Sequence, residues 1–133
     1  MLQYTLTIDG TLPNLNDYLA AERQTIRRGG RFTTKGNDLK QTNQEYVIYH
    51  IRQQLKAIHI TSPVYLKYCF YEPNRKRDKD NISAFAHKVI QDALVKAGVL
   101  DNDGWANITG FCDAFNVDKI KPRIEVIIVE EGD

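Results

Sequence analysis

Little in this chain marks a covalent chemistry, a cofactor or a compartment. Cysteine is scarce: Cys69 and Cys112 are the only two, far apart and outside any C-x-x-C spacing, so neither a disulfide framework nor a thiolate zinc site is expected. The three histidines, His50, His59 and His87, do not stand at zinc spacing with them and read as solvated or core side chains. No apolar run approaches the length of a signal h-region or a membrane span, and we therefore expect a cytoplasmic protein with reduced thiols, in which the sequons at Asn81 and Asn107 carry no information. An excess of charge is lacking too. The formal net charge is +1, so the whole-molecule field is weak and a polyanion could be held only by local clusters of bases. Phosphate-loop, nucleophile-elbow and Cys/His nucleophile motifs are all missing. A calcium loop is excluded, because Val99 and Gly110 occupy the positions of its first and last ligands.

What is present is the patterning of one α+β domain spanning residues 1–133. "LQYTLTIDG" alternates apolar and polar residues from Leu2 to Ile8 and stops at a glycine, as a half-buried strand does. The next stretch, "TLPNLNDYLAAERQTIRRGGRFTTKG", is rich in turn residues and arginine and reads as a long loop. Val47, Ile48, Ile51, Leu55 and Ile58 recur at helical spacing within 38–58, with Thr33, Thr34, Asn37 and Asp38 as available caps. "VYLKYCFYEP" is a second strand, β-branched and aromatic. Ile82, Phe85, Ala86, Val89, Ile90, Ala93, Leu94 and Ala97 then form the stripe of an amphipathic helix that Gly98 ends. "NITGFCDAFNV" and "RIEVIIVE" read as two strands joined around "DKIKP". The expected order is β-α-β-α-β-β: a mixed sheet of about four strands packed with two helices.

Chemistry, if any, runs on carboxylates. "RKRDKDN" sets Asp78 and Asp80 one residue apart among Arg75, Lys76, Arg77 and Lys79. Like charges this close repel unless cations neutralise them, and a hard divalent cation suits such oxygen ligands. The plainer account makes Asp80 a helix N-cap and pairs Asp78 with Arg75 or Arg77. At the far end of the same helix "VLDNDGW" offers Asp101 and Asp103, which could equally build an ordinary Asx turn. Arg23, Arg27, Arg28, Arg31, Lys35 and Lys40 cluster in the first loop, as a phosphate-contacting surface or as a solvated basic loop. Lys88 and Asp92 stand one turn apart and read as a surface ion pair. Trp105, Phe32 and Tyr18 could stack on bases or complete a core.

Taken together, "RDKDN", "HKVIQDALVKAG" and "DND" resemble the RusA family of Holliday-junction resolvases, whose pattern is D-x-D-N, then K-x-x-x-D-A-L, a glycine and an Asp-rich turn. "LPNLNDY" looks like that family's Pro/Asn/Tyr segment, and "KPRIEVIIVE" is similar to its last strand. The resemblance covers most of the chain. It implies metal ligands at Asp78, Asp80 and Asp103, with Asp101 as an auxiliary, and a catalytic lysine at Lys88. About four more residues separate Asp80 from Lys88 than in the basic pattern, which moves the lysine along the helix axis by about 6 Å and brings Lys79 or Lys76 forward as substitutes. The implied activity is Mg²⁺-dependent (or Mn²⁺-dependent) phosphodiester hydrolysis at four-way junction DNA by a homodimer, in recombination and repair. Arg23, Arg27, Arg28, Arg31, Lys35, Arg75, Lys76 and Arg77 would then contact DNA. The alternatives are a nuclease for other branched or single-stranded DNA and a catalytically silent DNA-structure binder.

Overall fold

The computed structural model describes residues 2–131, and the expected stripe does form a helix. Ile82, Phe85, Ala86, Val89, Ile90, Ala93 and Leu94 are all buried along α3 (Lys79–Lys96). This face packs on Leu66, Tyr68 and Phe70 of β4 (Val64–Glu72), whose alternate residues point to the same side as a strand's period of two requires. The other long helix, α2 (Lys35–Gln54), contributes Val47 and Ile51 to that core and is capped by Thr34, whose side chain accepts from the Asn37 N–H. It ends four residues before the expected Ile58. Ala57 takes a left-handed φ of 63°, a conformation usually left to glycine, so no residue type marked the stop.

The full order is β1 (Gln3–Asp9), α1 (Leu15–Glu22), β2 (Thr25–Arg28), β3 (Arg31–Thr34), α2, β4, α3, β5 (Ile108–Val117) and β6 (Arg123–Glu130). Four strands make a mixed sheet in the order β1-β6-β4-β5, as expected in number and class. β4 and β5 run parallel across the α3 crossover, while β6 is antiparallel to both β4 and β1. β5 and β6 are therefore sequence neighbours that do not pair: the "DKIKP" link passes over the end of β4, where the Asp118 N–H donates to the Glu72 carbonyl at 2.8 Å. The stretch read as one long loop contains α1, capped by the Asn14 side chain, and the separate β2–β3 hairpin.

Candidate metal and nucleic-acid site

A parallel strand pair with a crossover helix leaves a crevice at the strands' carboxyl ends, beside the helix N-terminus. Here that crevice is a cleft of about 820 Å³ between the ends of β4 and β5 and the start of α3, lined by Glu72, Asn74, Arg75, Arg77, Asp78, Lys79, Asp80, Ile82, Phe115, Asn116 and Val117. The charged "RKRDKDN" run is thus not scattered over a solvated face. It forms the wall of one depression.

Asp78, not Asp80, occupies the N-cap position of α3, and its side chain makes no capping bond. Nor does Asp78 pair with Arg75 or Arg77 among the ion pairs of the described residues. Asp80 lies in the first turn, where the helix N-terminus favours negative charge, and among the described residues its carboxylate accepts only from the N–H of Asn81 at 2.9 Å. Both carboxylates are exposed to the cleft. Asn81 does a different job: its side-chain oxygen accepts from the Asn16 N–H at 3.1 Å, tying α1 to the start of α3. Tyr18 packs at a tilt against Phe85 with ring centroids 5.0 Å apart, which makes it part of that packing rather than a free stacking surface.

Arg77 belongs to the fold. Its Nε and Nη2 donate to the two carboxylate oxygens of Glu72 at 2.9 Å each, and its Nη1 donates to the Leu12 carbonyl at 2.7 Å. A guanidinium so engaged balances the charge of the buried Glu72 at the cleft wall, and this bidentate clamp commits Arg77, expected as a DNA contact, to holding the fold. Arg75, Lys76 and Lys79 remain exposed. Lys79 reaches over the Phe115 ring at 5.8 Å. Lys88 is elsewhere: it projects to solvent and sits 3.5 Å from Asp92. With α3 starting at Lys79, eight residues past Asp80 places Lys88 about 12 Å up the axis. The cation beside the acidic pair is Lys79.

Asp103 stands at the other end of the domain. The 18 residues of α3 span about 27 Å, and the turn carrying Asp103 precedes β5, beside the start of β4 (Val64 N–H to Asn107 carbonyl, 2.8 Å). The Asp101 carboxylate accepts there from the His59 ring Nε2 at 2.7 Å. The expectation that Asp78, Asp80 and Asp103 of one chain share an ion is therefore not met. No group of three metal-ligating side chains occurs among the described residues.

The arginines of the first loop fall on the hairpin and its flanks. Arg28 and Arg31 are cross-strand partners, Arg27 lies 5.7 Å above the exposed Phe32 ring, Arg28 is ion-paired with Asp38, and Arg23 and Lys35 stand at the adjoining helix ends. Like charges facing each other on a ladder oppose pairing, a cost that the Arg28–Asp38 ion pair offsets within the chain. Glu72, Asn116 and Phe115 were not singled out from sequence. The only signal for them was position: the ends of two strands that the α3 crossover makes parallel. No protein-family model matches this chain, and no curated protein matches it either.

Proposed function

We propose that this chain is a Mg²⁺-dependent, structure-selective endodeoxyribonuclease that resolves Holliday junctions by paired symmetric nicks and works as a homodimer. The observation that carries the reading is the cleft, where two carboxylates uncommitted to capping or ion pairing stand beside Arg75 and Lys79. The ordered D-x-D-N, K-x-x-x-D-A-L and Asp-turn pattern supplies the substrate class.

Hard oxygen donors at Asp78 and Asp80 fit Mg²⁺, which keeps several waters and needs few protein ligands. When bound, such an ion polarises the phosphoryl oxygen and lowers the pKa of a water. Arg75 and Lys79 hold the phosphodiester in the cleft and offset the charge that grows on it. Water oxygen bonds to phosphorus, the bond to the 3′ oxygen breaks, and that oxygen takes a proton, which leaves 5′-phosphate and 3′-hydroxyl ends. Because Asp103 lies beyond the far end of α3, the third carboxylate of each site is supplied by a second copy.

Cleavage of an immobile four-way junction, compared with linear duplex and a flap, tests the reading. Asp78→Asn keeps binding but loses cleavage by about 10²-fold or more, the scale for an electrostatic group at a reacting centre. Lys79→Ala is impaired far more than Lys88→Ala. Inactive Asp78→Asn and Asp103→Asn preparations recover cutting when mixed, since a mixed dimer keeps one complete site. Cutting of flaps alone, or tight binding without Mg²⁺-dependent cutting, refutes the resolvase.

A further inference from the structure

We propose that the groove along the outer side of α2 docks a partner protein through a short acidic segment that carries bulky apolar side chains. The other faces of α2 are already used. Val47 and Ile51 enter the core, and Gln44 bonds to Asp92 and Lys96 of α3. A further face lies along β1, where the Thr7 N–H donates to the Gln54 side chain and the Thr7 carbonyl accepts from it, both at 2.7 Å. Beside them the Asp9 carbonyl accepts from the Tyr46 hydroxyl at 2.7 Å and the Asp9 N–H meets His50 at 3.4 Å. The remaining stripe is Glu45, Ile48, Tyr49, Arg52 and Lys56, at helical spacing. Its polar side chains make no hydrogen bond or ion pair among the described residues. A face turned to solvent is expected to be polar, yet this one exposes 61% of Tyr49 beside the half-buried Ile48.

Two depressions lie end to end along this stripe. One, of about 330 Å³, is walled by Glu45, Ile48, Tyr49, Arg52 and Gln53. The other, of about 460 Å³, shares Arg52 and continues past the end of the helix to Lys56, His59 and Ala97. Both are of the size that ligand sites have. The buried Ile51 and Leu55 floor the larger one while Arg52, Lys56 and His59 are exposed, so it is apolar below and basic at the rim. Ala57 stands in its wall and is the one residue other than glycine with a positive φ among the described residues. Strained backbone of that kind collects at ligand clamps.

Charge selects the occupant. No acid lines the larger depression, in a chain whose net charge is only +1. His59 is already matched by Asp101 at 2.7 Å, which leaves Arg52 and Lys56 as the uncommitted cations of the rim. The opposite end of the groove holds Glu45. A nucleic-acid backbone, anionic along its whole length, would meet that carboxylate and gain nothing from Ile51 and Leu55. A peptide can set carboxylates against the two bases and lay apolar side chains on the floor beside them, the complementarity that fixes a partner's register. From Glu45 to Leu55 the helix axis runs about 15 Å, the reach of an extended peptide of about four or five residues. The groove shares no residue with the cleft, and its occupancy does not rest on the nuclease reading.

The probe is a fluorescein-labelled peptide, Glu-Asp-Asp-Leu-Leu-Phe, read by anisotropy against the full chain without DNA. The parent binds it saturably, binds Glu-Asp-Asp-Ser-Ser-Ser about 10-fold or more weakly for want of apolar burial, and does not bind Lys-Lys-Lys-Leu-Leu-Phe. Arg52→Glu with Lys56→Glu reverses the preference between the acidic and basic peptides, and binding of the basic one shows that the variant is folded. Tyr49→Ala weakens the acidic peptide by about 10-fold, as loss of an exposed aromatic anchor does. Asp78→Asn, altered only in the cleft, binds the acidic peptide like the parent whether or not the parent cuts a junction. A Kd above about 1 mM, equal affinity for the acidic and basic peptides, or an affinity untouched by the double reversal overturns the proposal. So does a single-stranded oligonucleotide that displaces the peptide and is itself lost on the double reversal, since the groove would then belong to nucleic acid. A parent dimer that the same reversal splits into monomers overturns it as well, because the occupant would be a second copy.

Discussion

Asp118 turns the chain from β5 toward β6. One carboxylate oxygen accepts from the N–H groups of Ile120 and Lys121 at 3.1 and 3.0 Å, and the other from Arg123 at 2.8 Å. Arg123 also donates to Glu125 and lies 3.8 Å above the Tyr71 ring. The Lys121 N–H, then Arg123, hold the Asp118 carboxyl below its ordinary pKa. A carboxylate whose pKa is lowered by folding contributes stability that is complete above its unfolded value and is lost as pH falls through the folded one. Asp118→Asn should therefore lower the denaturation midpoint near neutral pH, and the gap to the parent should close in strong acid. Urea melts at about pH 7 and about pH 2 would show it; a gap of equal size at both would count against the account. At this scale the sequence was readable for types and not for partners. "RKRDKDN" announced an acidic pair within a basic run, but whether Arg77 served an aspartate or Glu72 depended on where the end of β4 came to rest.

Among the elements, α3 was legible because its buried stripe is long and its period unambiguous. The region between β1 and α2 was not, since α1, β2 and β3 bury no residue and so leave no hydrophobic period to read. A signal was there all the same. Gly29 and Gly30, with φ of 57° and 79°, join Arg28 to Arg31 in the two-residue turn that twisted hairpins prefer. Gly29→Val with Gly30→Val forces side chains into left-handed backbone at about 1 kcal/mol or more per residue. With no core contact at stake, the outcome expected on the proposed function is a thermal midpoint close to the parent's but weaker junction binding with a shallower dependence on salt, since fewer phosphates would be contacted together. Binding isotherms at several salt concentrations beside a melting curve would check both halves. A large drop in the midpoint with unchanged affinity would show the hairpin to be structural.

At the level of the whole molecule, the class of the main sheet and its four strands followed from the sequence, whereas the two further strands of the hairpin and the strand order did not. "DKIKP" is short enough for a hairpin, and nothing in it says that β4 slots between the strands it connects. The same insertion separates Asp103 from Asp78 and Asp80: β4, α3 and β5 put the acidic pair at one end of a parallel unit and the acidic turn at the other. The sequence already set the two acidic stretches at opposite ends of one helix; it was the family pattern that drew them into one site. If the chain is the homodimeric nuclease proposed above, junction cutting per chain falls as the protein is diluted through the dissociation range of the dimer, in step with the loss of dimer by sedimentation. Constant activity per chain down to fully monomeric protein would show that one copy suffices.

The α2 side chains laid along β1 also restrict where a further strand could add to the sheet. A four-stranded sheet offering two bare flanks could be extended without end, copy upon copy, into fibrils. With Gln54 bonded to Thr7 and with His50 and Tyr46 bonded to Asp9, the second half of the β1 flank has no free backbone groups to offer a further strand.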